Sequence, residues 1–158
     1  MAKLPVRERL IETASDLFYS QGYNRTGINE ILEKSGVAKA SMYQHFRSKE
    51  DICLEFLKRM DRGLMEKLQK KVESYPRGSR RVLSLFDFLN DFFNEEGFRG
   101  CWCLNTVSEL PKDDEKIMTE IRLQKNRFRT WIEKLVVDSG LKLNSKELAN
   151  KIYLLYEG

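Results

Sequence analysis

The chain has 158 residues, with 28 lysines and arginines against 24 aspartates and glutamates, and 41% of its residues are hydrophobic. That is enough for one core of ordinary size, or for a small head joined to a larger body. A net charge of +4 with a third of all residues charged excludes a nonspecific polycationic coat for nucleic acid, so any such contact must be local.

The first 50 residues carry eight Lys/Arg and six Asp/Glu, so bulk charge does not mark them out. The longest apolar stretch, Val82 to Phe93, is broken by Ser84, Asp87, Asn90 and Asp91, which excludes a membrane span. The opening Met-Ala-Lys-Leu-Pro lacks an apolar signal region, and three cysteines are too few and too odd in number for a disulfide framework. A cytoplasmic location is expected. Few prolines and no sustained period-two alternation predict an all-α fold.

Leu10, Ile11, Ala14, Leu17 and Phe18 recur at three- and four-residue steps, predicting a first helix from Val6 to Gln21 that Gly22 ends. Thr26 is the expected N-cap of a short second helix carrying Ile28, Ile31 and Leu32. Gly36-Val37-Ala38 then makes a tight connection to a third helix, Lys39 to Phe46. Two short helices joined by such a glycine-containing turn are the helix-turn-helix signature. Ser48 caps a fourth helix, with Asp51 reaching back, and its stripe runs from Cys53 through Phe56, Leu57, Met60, Leu64 and Leu68 to Val72.

The remainder is greasier. Val82, Leu83, Leu85, Phe86, Leu89, Phe92 and Phe93 predict a fifth helix buried nearly all round. Cys101 to Leu110 reads as a short sixth helix, stopped by Pro111. Ile117, Ile121, Phe128, Trp131, Ile132 and Leu135 mark a long seventh, ended at Ser139-Gly140. Ser145 is the expected cap of an eighth, with Leu148, Ile152 and Leu155 on one side. No stop signal precedes Gly158, so continuation of the chain beyond it is expected. The predicted architecture is a three-helix helix-turn-helix head over residues 1–48 and a helical effector-binding and dimerisation bundle over 49–158.

A helix that enters the major groove needs short or bidentate side chains outside and an apolar anchor behind. In the third helix Met42 and Phe46 face the core with Val37, leaving Lys39, Ala40, Tyr43 and Gln44 outside, flanked by Ser41 and His45. Lysine donates to guanine, glutamine pairs with adenine, and a small alanine touches a thymine methyl. Tyr43, Ser41, His45 and Lys49 suit phosphates.

The spacing of Gly22-Tyr23, Thr26-Gly27-Ile28-Asn29-Glu30-Ile31, Ser35-Gly36-Val37, Met42-Tyr43-Gln44-His45-Phe46 and Lys49-Glu50-Asp51-Ile52 resembles the DNA-binding domain of TetR-family regulators. The resemblance implies a homodimer on a near-palindromic double-stranded operator. It implies phosphate contacts from Thr26, Tyr43, His45 and Lys49, and base-edge contacts from Asn29, Lys39, Ala40 and Gln44. One departure stands out. The family usually has Ser or Thr at Ala38, and its loss costs the recognition helix about 1 kcal/mol of capping.

Several branches of the family carry a segment like Gly100-Cys101-Trp102-Cys103-Leu104-Asn105-Thr106-Val107-Ser108-Glu109-Leu110 beside the effector cavity. Phe86, Leu89, Phe93, Trp102, Val107, Ile121 and Phe128 are expected as apolar walls, with Asn105, Thr106 and Tyr153 as polar groups. A small, largely apolar effector is expected to move the fourth helix, shift the two recognition helices away from the ~34 Å of one DNA turn, and release the operator. On a helix, Cys101 and Cys103 point about 200° apart, so they read as small buried hydrophobes, with thiol sensing at Cys101 the lesser alternative.

One histidine and no nucleophile, phosphate loop or metal cluster of supporting spacing argue against an enzyme, a metal site or a cofactor. The competing reading is a helical ligand-binding or protein-interaction module whose helix-turn-helix no longer reads DNA, to which Ala38 lends some support.

Overall fold

The computed structural model describes residues 4–111, 114–141 and 144–158. Among them the chain is helical throughout: α1 Val6–Gln21, α2 Ile28–Ser35, α3 Lys39–His45, α4 Lys49–Glu73, α5 Ser79–Phe93, α6 Trp102–Glu109, α7 Glu115–Asp138 and α8 Ser145–Glu157. No described helix is long and apolar enough to cross a membrane. The chain divides into two compact units, residues 1–60 with 99–121 and residues 61–98 with 122–158. The first unit therefore extends past the expected head at residue 48 and takes in α6 and the start of α7.

In the first unit, α1 buries Leu10, Ile11, Ala14, Leu17 and Phe18. The Phe18 ring lies 5.6 Å from both Tyr23 and Phe56. Phe56 is 1% exposed, and burying a side chain of that kind contributes roughly 1.5–3 kcal/mol. The C-terminus of α2 closes on Gly36 at φ 60, where a left-handed residue lets the Val37 N–H reach the Leu32 carbonyl at 3.1 Å. Arg9 from α1 donates to the carbonyls of Ser35 and Gly36 at 2.9 and 3.2 Å, which fixes the turn between α2 and α3 to the scaffold. Arg7 adds an ion pair with Glu55 at 2.5 Å and lies over the Phe46 ring.

Two caps differ from expectation. The N-cap of α2 is Gly27; the Thr26 side chain turns back instead, its hydroxyl donating to the Gly22 carbonyl at 2.7 Å and accepting from the Gln21 amide at 3.3 Å. The N-cap of α8 is Asn144, whose side chain accepts the Glu147 N–H, so Ser145 is the first helical residue. At α4, Ser48 Oγ accepts the Asp51 N–H at 3.3 Å as expected, while the Asp51 carboxylate takes the N–H of Arg47.

The second unit packs α5, α8 and the parts of α4 and α7 that it holds around Leu68, Val72, Val82, Leu85, Phe88, Phe128, Ile132, Leu135, Val136, Ala149 and Ile152. Helix α5 is not buried all round. Val82, Ser84, Leu85 and Phe88 are inside, while Leu83 and Phe93 are 51% and 55% exposed. Its apolar run is long, but the helical period still turns one side to solvent.

Cys53 and Cys103 are buried, as a small hydrophobe would be, whereas Cys101 is only half-buried and stands at the N-cap of α6, outside the helix. Burial, with a smaller contribution from the Asp114 carboxylate, pushes the Cys53 thiol up to about 12. The thiolate is the nucleophile, so Cys53 is expected to stay unmodified by an aromatic disulfide reagent at neutral pH until the protein unfolds. Mass spectrometry of the labelled native protein reads this directly; early modification at Cys53 would contradict it.

Candidate nucleic-acid interface

Helix α3 has Met42 fully buried, with Val37 and Phe46 buried on either side of it, because residues four apart share a helix face. The opposite face carries Lys39, Ala40, Tyr43, Gln44 and His45, all exposed, with Ser41 half-buried at its edge. Tyr43 is 48% exposed, too much for a core tyrosine of a seven-residue helix. The N-cap is Ala38 and makes no side-chain hydrogen bond, yet the helix forms. Its Met42 N–H reaches the Ala38 carbonyl at 3.1 Å and its C-terminal Phe46 N–H the Met42 carbonyl at 2.9 Å. The anchor beneath it replaces the missing cap.

The other candidates fall into two kinds. Asn29 is exposed on the first turn of α2. Thr26 is fully buried and its hydroxyl donates to the Gly22 carbonyl, so it is not presented to a phosphate. Lys49 is half-buried. Its ammonium donates to the carbonyls of Tyr23 and Thr26 at 3.0 and 3.3 Å and sits 4.1 Å from the centre of the Tyr23 ring. Burial holds the Lys49 ammonium below the ordinary lysine value, and burial likewise raises the Tyr23 phenol. Lys49 thus staples the loop before α2 from inside. Two cations that periodicity did not single out, Arg25 and Arg47, are exposed in the loops leading into α2 and out of α3. Their signal was position beside the two short helices, which apolar spacing does not register.

Of the candidate effector residues in the first unit, Trp102, Thr106 and Ile121 are buried, while Asn105 is exposed and donates to the Arg99 carbonyl at 2.8 Å. The indole nitrogen of Trp102 is buried with no hydrogen-bond partner, a free donor that native interiors rarely leave unused. In the second unit Phe128 is core, with Tyr153 and Tyr156 rings 6.2 and 4.9 Å away. Phe86 and Leu89 are half-buried, and Phe93 is outside against Phe98. That unit holds a cavity of about 240 Å³ lined by Gln69, Val72, Glu73, Arg81, Trp131, Lys134, Leu135 and Asp138. None of the anticipated walls lines it. Val72, Trp131 and Leu135 supply its apolar lining, and Glu73, Arg81, Lys134 and Asp138 bring both signs of charge. Among the described residues no cluster of His, Cys, Asp and Glu is placed to hold a metal ion.

The head has known counterparts. Residues 10–56 match the family model described as bacterial regulatory proteins, tetR family. The chain is 33% identical over 104 residues to the transcriptional activator FasR of Mycolicibacterium smegmatis, an alignment covering 61% of this chain and 47% of that protein, so it spans about half of that relative. It is 27% identical over 161 residues to the regulator YxaF of Bacillus subtilis, covering 96% of this chain and 81% of that one. In structure it superposes on a TetR-family transcriptional regulator from Streptomyces coelicolor with a TM-score of 0.86, at 27% identity, over 97% of this chain and 80% of the other. These relatives are regulators of transcription and not enzymes. Helix-turn-helix geometry, matched motif and superposed fold agree: residues 10–56 form a DNA-binding head like that of the tetR family of bacterial regulatory proteins, and the chain shares the fold of a TetR-family transcriptional regulator.

Proposed function

We propose that this chain is a one-component repressor. In this reading α3 lies in the major groove of a palindromic operator, two copies bind together, and a small, largely apolar effector releases them. The observation that carries the reading is the split face of α3, with Met42 at 0% exposure behind Lys39, Ala40, Tyr43 and Gln44. Regulators of this family bind DNA and typically act as dimers with small-molecule ligands. The exposure of Leu154 and Leu155 on α8, 69% and 71%, supports association with a second copy there. For the effector, the second unit's cavity offers Val72, Trp131 and Leu135 as apolar lining, beside the charged Glu73, Arg81, Lys134 and Asp138.

In this scheme Ala40, Gln44 and Asn29 meet base edges, while Arg25, Lys39, Ser41, Tyr43, His45 and Arg47 meet phosphates and Lys49 holds the loop before α2 from inside. Gel-shift titration with DNA flanking the protein's own gene tests it. Gln44→Ala should alter which sequences are preferred, at about 1–3 kcal/mol for the base pair it reads. Tyr43→Ala should weaken all sequences alike. A Gln44→Ala protein with unchanged sequence preference would remove glutamine from the reading face. A rise in reporter transcription when the gene is deleted supports repression; a fall makes the protein an activator.

A further inference from the structure

The stretch Arg99–Ile121 belongs to the same compact unit as the helix-turn-helix, and within that unit it holds the head at three places. The Tyr19 hydroxyl, near the end of α1, accepts the Arg99 N–H at 3.0 Å and donates to the Gly100 carbonyl at 3.3 Å. Glu109, the last residue of α6, accepts the Asn24 N–H on its carboxylate at 2.7 Å, and its main-chain carbonyl accepts Asn24 Nδ2 at 2.7 Å. Lys116, in the first turn of α7, forms an ion pair with Asp51 of α4. The other carboxylate oxygen of Asp51 accepts the Arg47 N–H at 3.0 Å. Asn24 lies in the loop that enters α2, and Arg47 in the loop that leaves α3. Both loops framing the DNA-reading pair are therefore tied down from α6 and α7.

Two features mark these contacts as more than surface ion pairs. Glu109 reaches the loop over a glycine: Gly22 has φ +97, and a Cβ there would stand 2.3 Å from the Glu109 carboxylate and push it aside. Moreover, each side chain sits at the wrong end of its own helix. A carboxylate in the last turn of α6 and an ammonium in the first turn of α7 both oppose the helix dipole. Neither residue serves the helix that carries it; both serve the loop they reach.

We propose that Glu109 and Lys116 are positioning residues for operator binding, setting the pose in which α3 meets the groove by clamping the loops before α2 and after α3. The proposal rests on the DNA-binding reading above.

The test uses a duplex enriched from random sequence by the wild-type protein, with a scrambled duplex of equal length beside it. Glu109→Ala and Lys116→Ala are each expected to lose about tenfold on the enriched duplex and less than about twofold on the scrambled one. Because the two clamps hold separate loops, the double variant should lose about a hundredfold. Lys116→Arg, which keeps the ion pair, should bind as wild type. Since both alanine variants relieve an adverse helix dipole, their unfolding midpoints should stay within about 3 °C of wild type. Wild-type affinity in either alanine variant overturns the proposal, as does an equal loss on both duplexes or a collapse of the midpoint. If the wild-type protein enriches no sequence at all, the DNA-binding reading falls and the clamp falls with it. If enrichment succeeds and the variants bind normally, the clamp alone is refuted.

Discussion

Met42→Ala is expected to destabilise the helix-turn-helix by about 2–5 kcal/mol and to abolish operator binding, whereas Tyr43→Ala, one residue along, leaves folding intact and weakens binding alone. Met42 is 0% exposed and sits under the middle of α3, a helix of only seven residues with no side-chain cap. Helices this short do not persist on intrinsic propensity, so packing beneath them carries the stability. Alanine is the better helix former, hence the whole loss measures the vacated core volume. Against the 5–15 kcal/mol of a typical domain this is a large fraction. Tyr43 is 48% exposed, and truncating it removes little buried surface. Urea unfolding followed by circular dichroism separates the two. A Met42→Ala protein with the wild-type midpoint, or a Tyr43→Ala protein that unfolds as early as Met42→Ala, would mean that α3 is not seated as described.

What periodicity could reach, it reached. The face of α3 was legible because Met42 and Phe46 stand four apart and Val37 closes the same side. In α5 seven apolar residues close together hide the period that leaves Leu83 and Phe93 outside. Thr26 stands where a cap is expected, but a threonine side chain bonds a carbonyl behind it as readily as an amide ahead. Lys49 read as a surface cation, and only the fold reveals the two carbonyls that claim it. The clamp had no local trace at all. Asn24 and Glu109 are 85 residues apart, and nothing in either neighbourhood encodes the other. One clue was present: a carboxylate ending a helix and a lysine starting one are electrostatically misplaced, and misplaced charges point to partners elsewhere.

Operator affinity is expected to fall between about a thousandfold and ten-thousandfold from 50 to 200 mM salt. The number of cations at the interface sets the size of this effect. Arg25, Lys39 and Arg47 are exposed beside the reading face, so two copies bring about six to phosphates, and the log–log slope is near −5. If Lys49 also reaches a phosphate, the count is about eight and the slope near −7. Its ammonium already serves the carbonyls of Tyr23 and Thr26, so Lys49→Gln should change the slope less than Arg47→Gln, which should lower it by about 2 in a dimer. Fluorescence anisotropy over a salt series on the enriched duplex measures each slope. A slope near −7 that loses as much with Lys49→Gln as with Arg47→Gln would restore Lys49 to the phosphate-binding set. A flat dependence in the wild type would leave the basic loops without a role at the DNA and would remove the electrostatic basis for placing α3 in the groove.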